Sequence, residues 1–99
     1  MDAVTMIALE RERQISEELR KPDGDDLHTD HQLARAAACY AQPGYCRTFG
    51  LRGAPVEWPW HADWWKPTPH DRIRELVKAG ALIVAEIERL QRANPAARS

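Results

Sequence analysis

The stretch from residue 68 to 93 constrains this chain more than any other part of it. Thr68 supplies a capping hydroxyl, Pro69 stands where a first helical residue needs no N–H, and Asp71 places a carboxylate near the positive end of a helix dipole. These signals predict a helix capped at Thr68 and running to about Arg92, stopped by Asn94 and Pro95, with residues 94–99 as a mobile tail. Ile73, Val77, Gly80, Val84 and Ile87 form one apolar stripe, and Leu76, Ile83 and Leu90 form a second at seven-residue spacing. With Ala79, Ala81, Leu82 and Ala85 added, the middle of the helix is apolar nearly all round. Such a helix has to be covered on most sides, and Leu76, Gly80, Ile83, Val84 and Ile87 are the expected contacts of a homo-oligomer. Gly80 costs about 1 kcal/mol relative to alanine inside a helix, so a close helix crossing at residues 79–81 is the expected compensation.

Two shorter helices are expected before it. Residues 1–20 place Val4, Ile7, Ile15 and Leu19 on one side of a 3.6-residue period. Glu10, Arg11, Glu12, Arg13, Glu17, Glu18 and Arg20 read as a solvated face with i,i+4 pairs. Residues 29–42 open with Thr29 and Gln32 in a capping-box spacing and end at Gln42, Pro43 and Gly44. Ala36, Ala37 and Ala38 there allow another helix to approach closely. From 43 to 67, Gly44, Gly50, Gly53, Pro55, Pro59 and Pro67 break every long period, leaving room for a short hairpin around residues 51–53. The expected fold is mostly α: a single small three-helix domain with a long Trp/Pro/Gly-rich connector between helices 2 and 3. Ninety-nine residues are enough for one core and too few for two.

A net charge of −1 provides no basic field for coating DNA. The charge is uneven, however: residues 1–31 hold nine acids against four bases, while residues 32–56 hold three arginines and no acid. That pattern suits a local anion site, or head-to-tail pairing of subunits, better than a DNA-coating surface. There is no secretory leader pattern and no apolar run of the roughly 18 residues that a bilayer requires, so the expected location is the cytoplasm, with Cys39 and Cys46 as thiols.

Four tryptophans lie within eight residues, at 58, 60, 64 and 65. Indoles stack on nucleobases for about 1–3 kcal/mol each, and neighbouring cations hold phosphates. The candidate ligand-binding residues are therefore Arg35, Trp58, Trp60, Trp64, Trp65, Lys66 and Arg72. The alternative is that the indoles form a small core of their own, since a domain of this size needs bulky residues to bury enough area. Residues 23–31 carry Asp23, Asp25, Asp26, His28, Asp30 and His31, but in no calcium or zinc spacing. His28, His31, Cys39 and Cys46 likewise match no zinc motif, and neither a metal nor another cofactor is expected. Glu86 and Glu88 stand two apart on different helix faces, no phosphate loop or nucleophile elbow is present, and no catalytic residue stands out.

The segments Asp25-Asp26-Leu27-His28, Leu33-Ala34-Arg35-Ala36-Ala37-Ala38-Cys39-Tyr40-Ala41, Trp58-Pro59-Trp60, Trp64-Trp65-Lys66-Pro67 and residues 76–90 resemble, in this order, a small protein family of phages and prophages. The resemblance implies a bacterial cytoplasm during phage infection, where small oligomeric proteins inhibit or sequester host defence components. It carries no activity of its own. The expectation is a homo-oligomeric binding protein for a nucleotide, a host immune signal, rather than an enzyme. Two alternatives stand beside it. One is a metal-dependent nucleotide pyrophosphohydrolase using the acids near Asp25 and Glu86, although the paired-carboxylate motif is missing. The other is a protein-only inhibitor that docks its tryptophan patch on a host enzyme.

Overall fold

The computed structural model describes residues 1–17 and 31–94. Among the described residues three α-helices carry the fold: α1 (Ala3–Glu17), α2 (Gln32–Ala41) and α3 (Arg72–Ala93). This matches the expected three-helix domain, and α3 is its centre, with α2 packed on one side and α1 on another.

The helix ends differ in detail from the expected ones. At the start of α1, Asp2 Oδ1 accepts the Thr5 N–H at 2.8 Å. The capping box predicted for α2 is not what begins it: Thr29 lies outside the described residues, and the cap position is held by His31. His31 takes a left-handed conformation (φ 64°) and makes no side-chain cap bond. The start of α3 moves from Thr68 to Asp71, whose Oδ1 accepts the Arg74 N–H at 3.0 Å. Thr68 and Pro69 instead form the turn before the helix, closed by the Asp71 N–H on the Thr68 carbonyl at 2.8 Å. Of the predicted tail, residues 95–99 lie outside the described residues.

α2 buries Leu33, Ala36, Ala37, Cys39 and Tyr40 against Ala79, Leu82 and Ala85 of α3. The alanines on both helices remove the bulk that would keep the backbones apart. At the far end of α2, four carbonyls need donors, as at any helix C-terminus. Two guanidinium groups supply them. Arg47 donates to the Cys39 and Tyr40 carbonyls at 2.9 and 3.2 Å, and Arg72 reaches Tyr40 at 2.9 Å, Gln42 at 3.1 Å and Ala41. Their positive charge also sits at the negative end of the helix dipole. The two are held in turn by Glu75, which is buried and also accepts the Thr68 N–H at 3.2 Å.

The face that α1 presents to α3 corrects a sequence expectation. Glu10, Arg11 and Gln14 are the buried residues of α1, with Glu10 only 1% exposed, whereas Val4 is open. The charged residues of this helix were expected to be solvated. Arg13–Glu17 at 3.2 Å is indeed such an i,i+4 pair. Glu10 and Arg11 instead find opposite charges on α3: Arg74 pairs with Glu10, and Arg11 pairs with Glu88 at 3.2 Å. Arg13 and Gln14 complete the shell around Glu10 at 2.8 and 3.0 Å. Burial alone pushes the Glu10 carboxyl upward, but these hydrogen bonds and charges outweigh it and hold the group below its ordinary value.

The crossing expected at residues 79–81 exists, and α1 makes it. A Cβ built on Gly80 would stand 2.7 Å from Ile7 Cδ1. The absence of a side chain is what lets Ile7 settle on the helix, so glycine's cost in helix propensity is offset by packing. Val84 lines the same groove with Val4, Ile7 and Ala8. Gly80 and Val84, expected at a subunit contact, thus meet α1 of their own chain.

Candidate ligand site

The connector from Pro43 to Pro67 folds over the α2–α3 junction. Its hairpin-like turn is real: Gly53 adopts φ +83°, Gly50 N–H donates to Ala54 O and Val56 N–H to Thr48 O, both at 2.8 Å, and Phe49 bridges Pro55 antiparallel. The chain then brings three of the four indoles together. Trp65 stacks on Tyr40 at 4.6 Å, Trp58 meets both rings edge-on at 5.1 and 5.6 Å, and Trp60 stands edge-on to Trp58 at 5.4 Å.

Trp58 and Trp65 are buried in the core cluster, which is the small aromatic core that the sequence left open as an alternative. The Trp58 indole N–H donates to the His61 carbonyl at 3.1 Å. Arg47 lies over Trp65 at 5.1 Å, and the Tyr40 hydroxyl accepts the Lys66 backbone N–H at 3.0 Å. Lys78 crosses this region to donate to the Lys66 carbonyl at 2.6 Å, with its ammonium 5.6 Å from the Tyr40 ring.

The seven sequence candidates therefore separate. Trp58 and Trp60 line a shallow depression of about 400 Å³, together with Arg52, His61, Leu51, Pro55 and Val56 among others. Trp65 faces Tyr40 and Arg47 inside the fold, and Arg72 is committed to the α2 carbonyls. Trp64, Lys66 and Arg35 are exposed but do not belong to the depression. Arg35, Lys66 and Arg72 do not gather around the indoles as expected, because Arg72 has a stronger use at a helix end.

Sequence reasoning missed Arg52 and His61. His61 begins a short helical turn (Ala62–Trp64) by accepting the Asp63 N–H on Nδ1 at 3.1 Å. The His61 Nε2 lies 3.3 Å from Arg52 Nη1, a contact in which the guanidinium is the donor whenever Nε2 is unprotonated. A guanidinium and an imidazole thus sit together at the rim of an indole-lined hollow, two groups that can donate to an anionic oxygen. The available signals were the Gly50–Gly53 turn, which places Arg52 at its tip, and the spacing of His61 directly after Trp60.

His28 lies outside the described residues, and among the described residues no three His, Cys, Asp or Glu side chains group as ligands. His31 instead approaches Glu86 at 3.9 Å, and Glu86 is held by Arg89 at 2.6 Å. Cys39 is buried, which pushes its thiol upward, as does the charge of Glu57, while Arg47 and Arg35 oppose them. Cys46 is exposed. One thiol per native chain is therefore expected to react promptly with an aromatic disulfide reagent, the second only after denaturation. Two prompt thiols would mean that the α2–α3 packing opens in solution.

Among the described residues, no helix is long and apolar enough to cross a membrane. Comparison with protein-family models, curated proteins and solved structures finds no match.

Proposed function

We propose that the protein is a binding module for a small anionic ligand with a flat ring, of the nucleotide class, taken up in the depression between the Gly50–Gly53 turn and Trp60. The observation that carries this reading is the Arg52 guanidinium, 3.3 Å from His61 Nε2, in a depression lined also by Trp58 and Trp60. A phosphate oxygen accepts from the guanidinium, and an apolar wall of Leu51, Pro55 and indole covers the ring. Resemblance to phage-encoded proteins extends the proposal to sequestration of a host immune nucleotide, as an anti-defence factor.

Thermal unfolding and tryptophan fluorescence with mononucleotides, cyclic dinucleotides and the matching nucleosides test it. A nucleotide at 100-fold over its Kd adds about 2.7 kcal/mol to stability, and the nucleoside adds little. Arg52→Ala, at an exposed position, is expected to weaken binding at least about tenfold, as loss of a charge-assisted hydrogen bond implies. Equal binding by Arg52→Ala, or silence across the nucleotide panel, rejects the reading.

A further inference from the structure

We infer that α3 pairs with α3 of a second copy, antiparallel, through a seam that the described residues of the protomer leave open. This is independent of the ligand proposal. α3 has three apolar sectors, of which α2 covers one and α1 another. The third holds Ile73, Leu76, Ile83, Ile87 and Leu90, each between 47% and 63% exposed.

Residues 73, 76, 80, 83, 87 and 90 alternate spacings of three and four, the repeat that keeps one side of a helix on a partner helix. Between Ile73 and Leu90 no charged residue interrupts that side, which is bordered by Gly80 and Val84 where α1 packs. A coat of charge is the usual protection for an exposed helix face, and here it is missing.

The partner is identified as a second copy by area and by register. With about 200 Å² for a fully exposed leucine or isoleucine, the five residues leave roughly 500 Å² open per chain, so two copies bury about 1,000 Å², the threshold for a specific interface. The pattern is also its own reverse. In an antiparallel pairing Ile73 meets the partner's Leu90, Leu76 meets the partner's Ile87, and Ile83 falls opposite the partner's Gly80, which Ile7 covers. A parallel pairing would align the helix dipoles alike.

Sedimentation equilibrium of the full chain is expected to give a dimer at tens of micromolar. Ile83→Glu, replacing a half-exposed residue, should shift it to monomer by at least a hundredfold in Kd with helical circular dichroism unchanged. Orientation is read in a Cys46→Ser background under mild oxidation. Ile73→Cys alone should not cross-link, because its two copies lie about 25 Å apart along the axis. Ile73→Cys mixed with Leu90→Cys should form the mixed disulfide. A monomeric wild type, a dimer indifferent to Ile83→Glu, or efficient cross-linking by Ile73→Cys alone overturns the inference.

Discussion

Replacement of Glu75 by alanine is expected to remove about 3–5 kcal/mol of folding stability, a large part of the 5–15 kcal/mol that a domain has in total. The carboxylate is 3% exposed and accepts from Arg47 at 3.2 Å, from Arg72 at 3.2 Å and from the Thr68 N–H at 3.2 Å. Its loss leaves the Arg47 side chain, itself 4% exposed, without the counter-charge that makes its burial tolerable. The two arginines that cap α2 lose their common anchor at the same time. Urea unfolding followed by circular dichroism measures the effect, and a loss under about 1 kcal/mol would show that water replaces the carboxylate freely.

The same group gives the protein an acid limit. Burial raises the affinity of Glu75 for a proton, but Arg47, Arg72 and the Thr68 N–H more than reverse it, so the folded carboxyl titrates below its ordinary value of 4.5. A depressed folded value means that the stabilisation is complete above the unfolded pKa and is lost as pH falls from about 4.5 through the folded value. Glu10 acts in the same direction. Stability is therefore expected to fall steeply below pH 4.5, and Glu75→Gln should show a shallower acid slope from a lower starting point.

Trp65→Ala is expected to cost about 3–5 kcal/mol, whereas Trp64→Ala, one residue earlier, costs about 0.5 kcal/mol. Trp65 is the ring on which Tyr40 stacks and over which Arg47 lies, and its removal opens a cavity between the connector and the α2–α3 junction. Trp64 is 46% exposed and takes no part in the ring cluster. Comparable losses from the two variants would contradict the placement of the cluster.

What the sequence made legible follows from how local each signal is. α3 announced itself through a continuous apolar pattern between Pro69 and Pro95, and only its first turn was misplaced. Thr68 and Asp71 are both good caps, and the choice fell to Asp71, whose carboxylate takes the Arg74 N–H while the Thr68 hydroxyl donates to the Asp71 carbonyl, which a linear reading does not reveal. The buried side of α1 was illegible for a related reason. A row of Glu and Arg looks the same whether its partners are one turn away or on another helix. At the site, Trp58 and Trp60 were visible by composition alone. Arg52 and His61 come together across nine residues only because the Gly50–Gly53 turn folds back, and Arg72 was drawn to a ligand role because nothing local shows that α2 ends within its reach.

Glu10 and Arg11 are neighbours in sequence, yet they are tied to α3 on opposite sides of Gly80, at Arg74 and at Glu88. Like two stays pulling a mast from either side, they fix where α1 rests along α3. Sliding in either direction slackens one tether, so apolar packing alone does not decide the docking position. These four positions are thereby bound to change together: a charge altered on one helix is tolerable only with a matching reversal on the other.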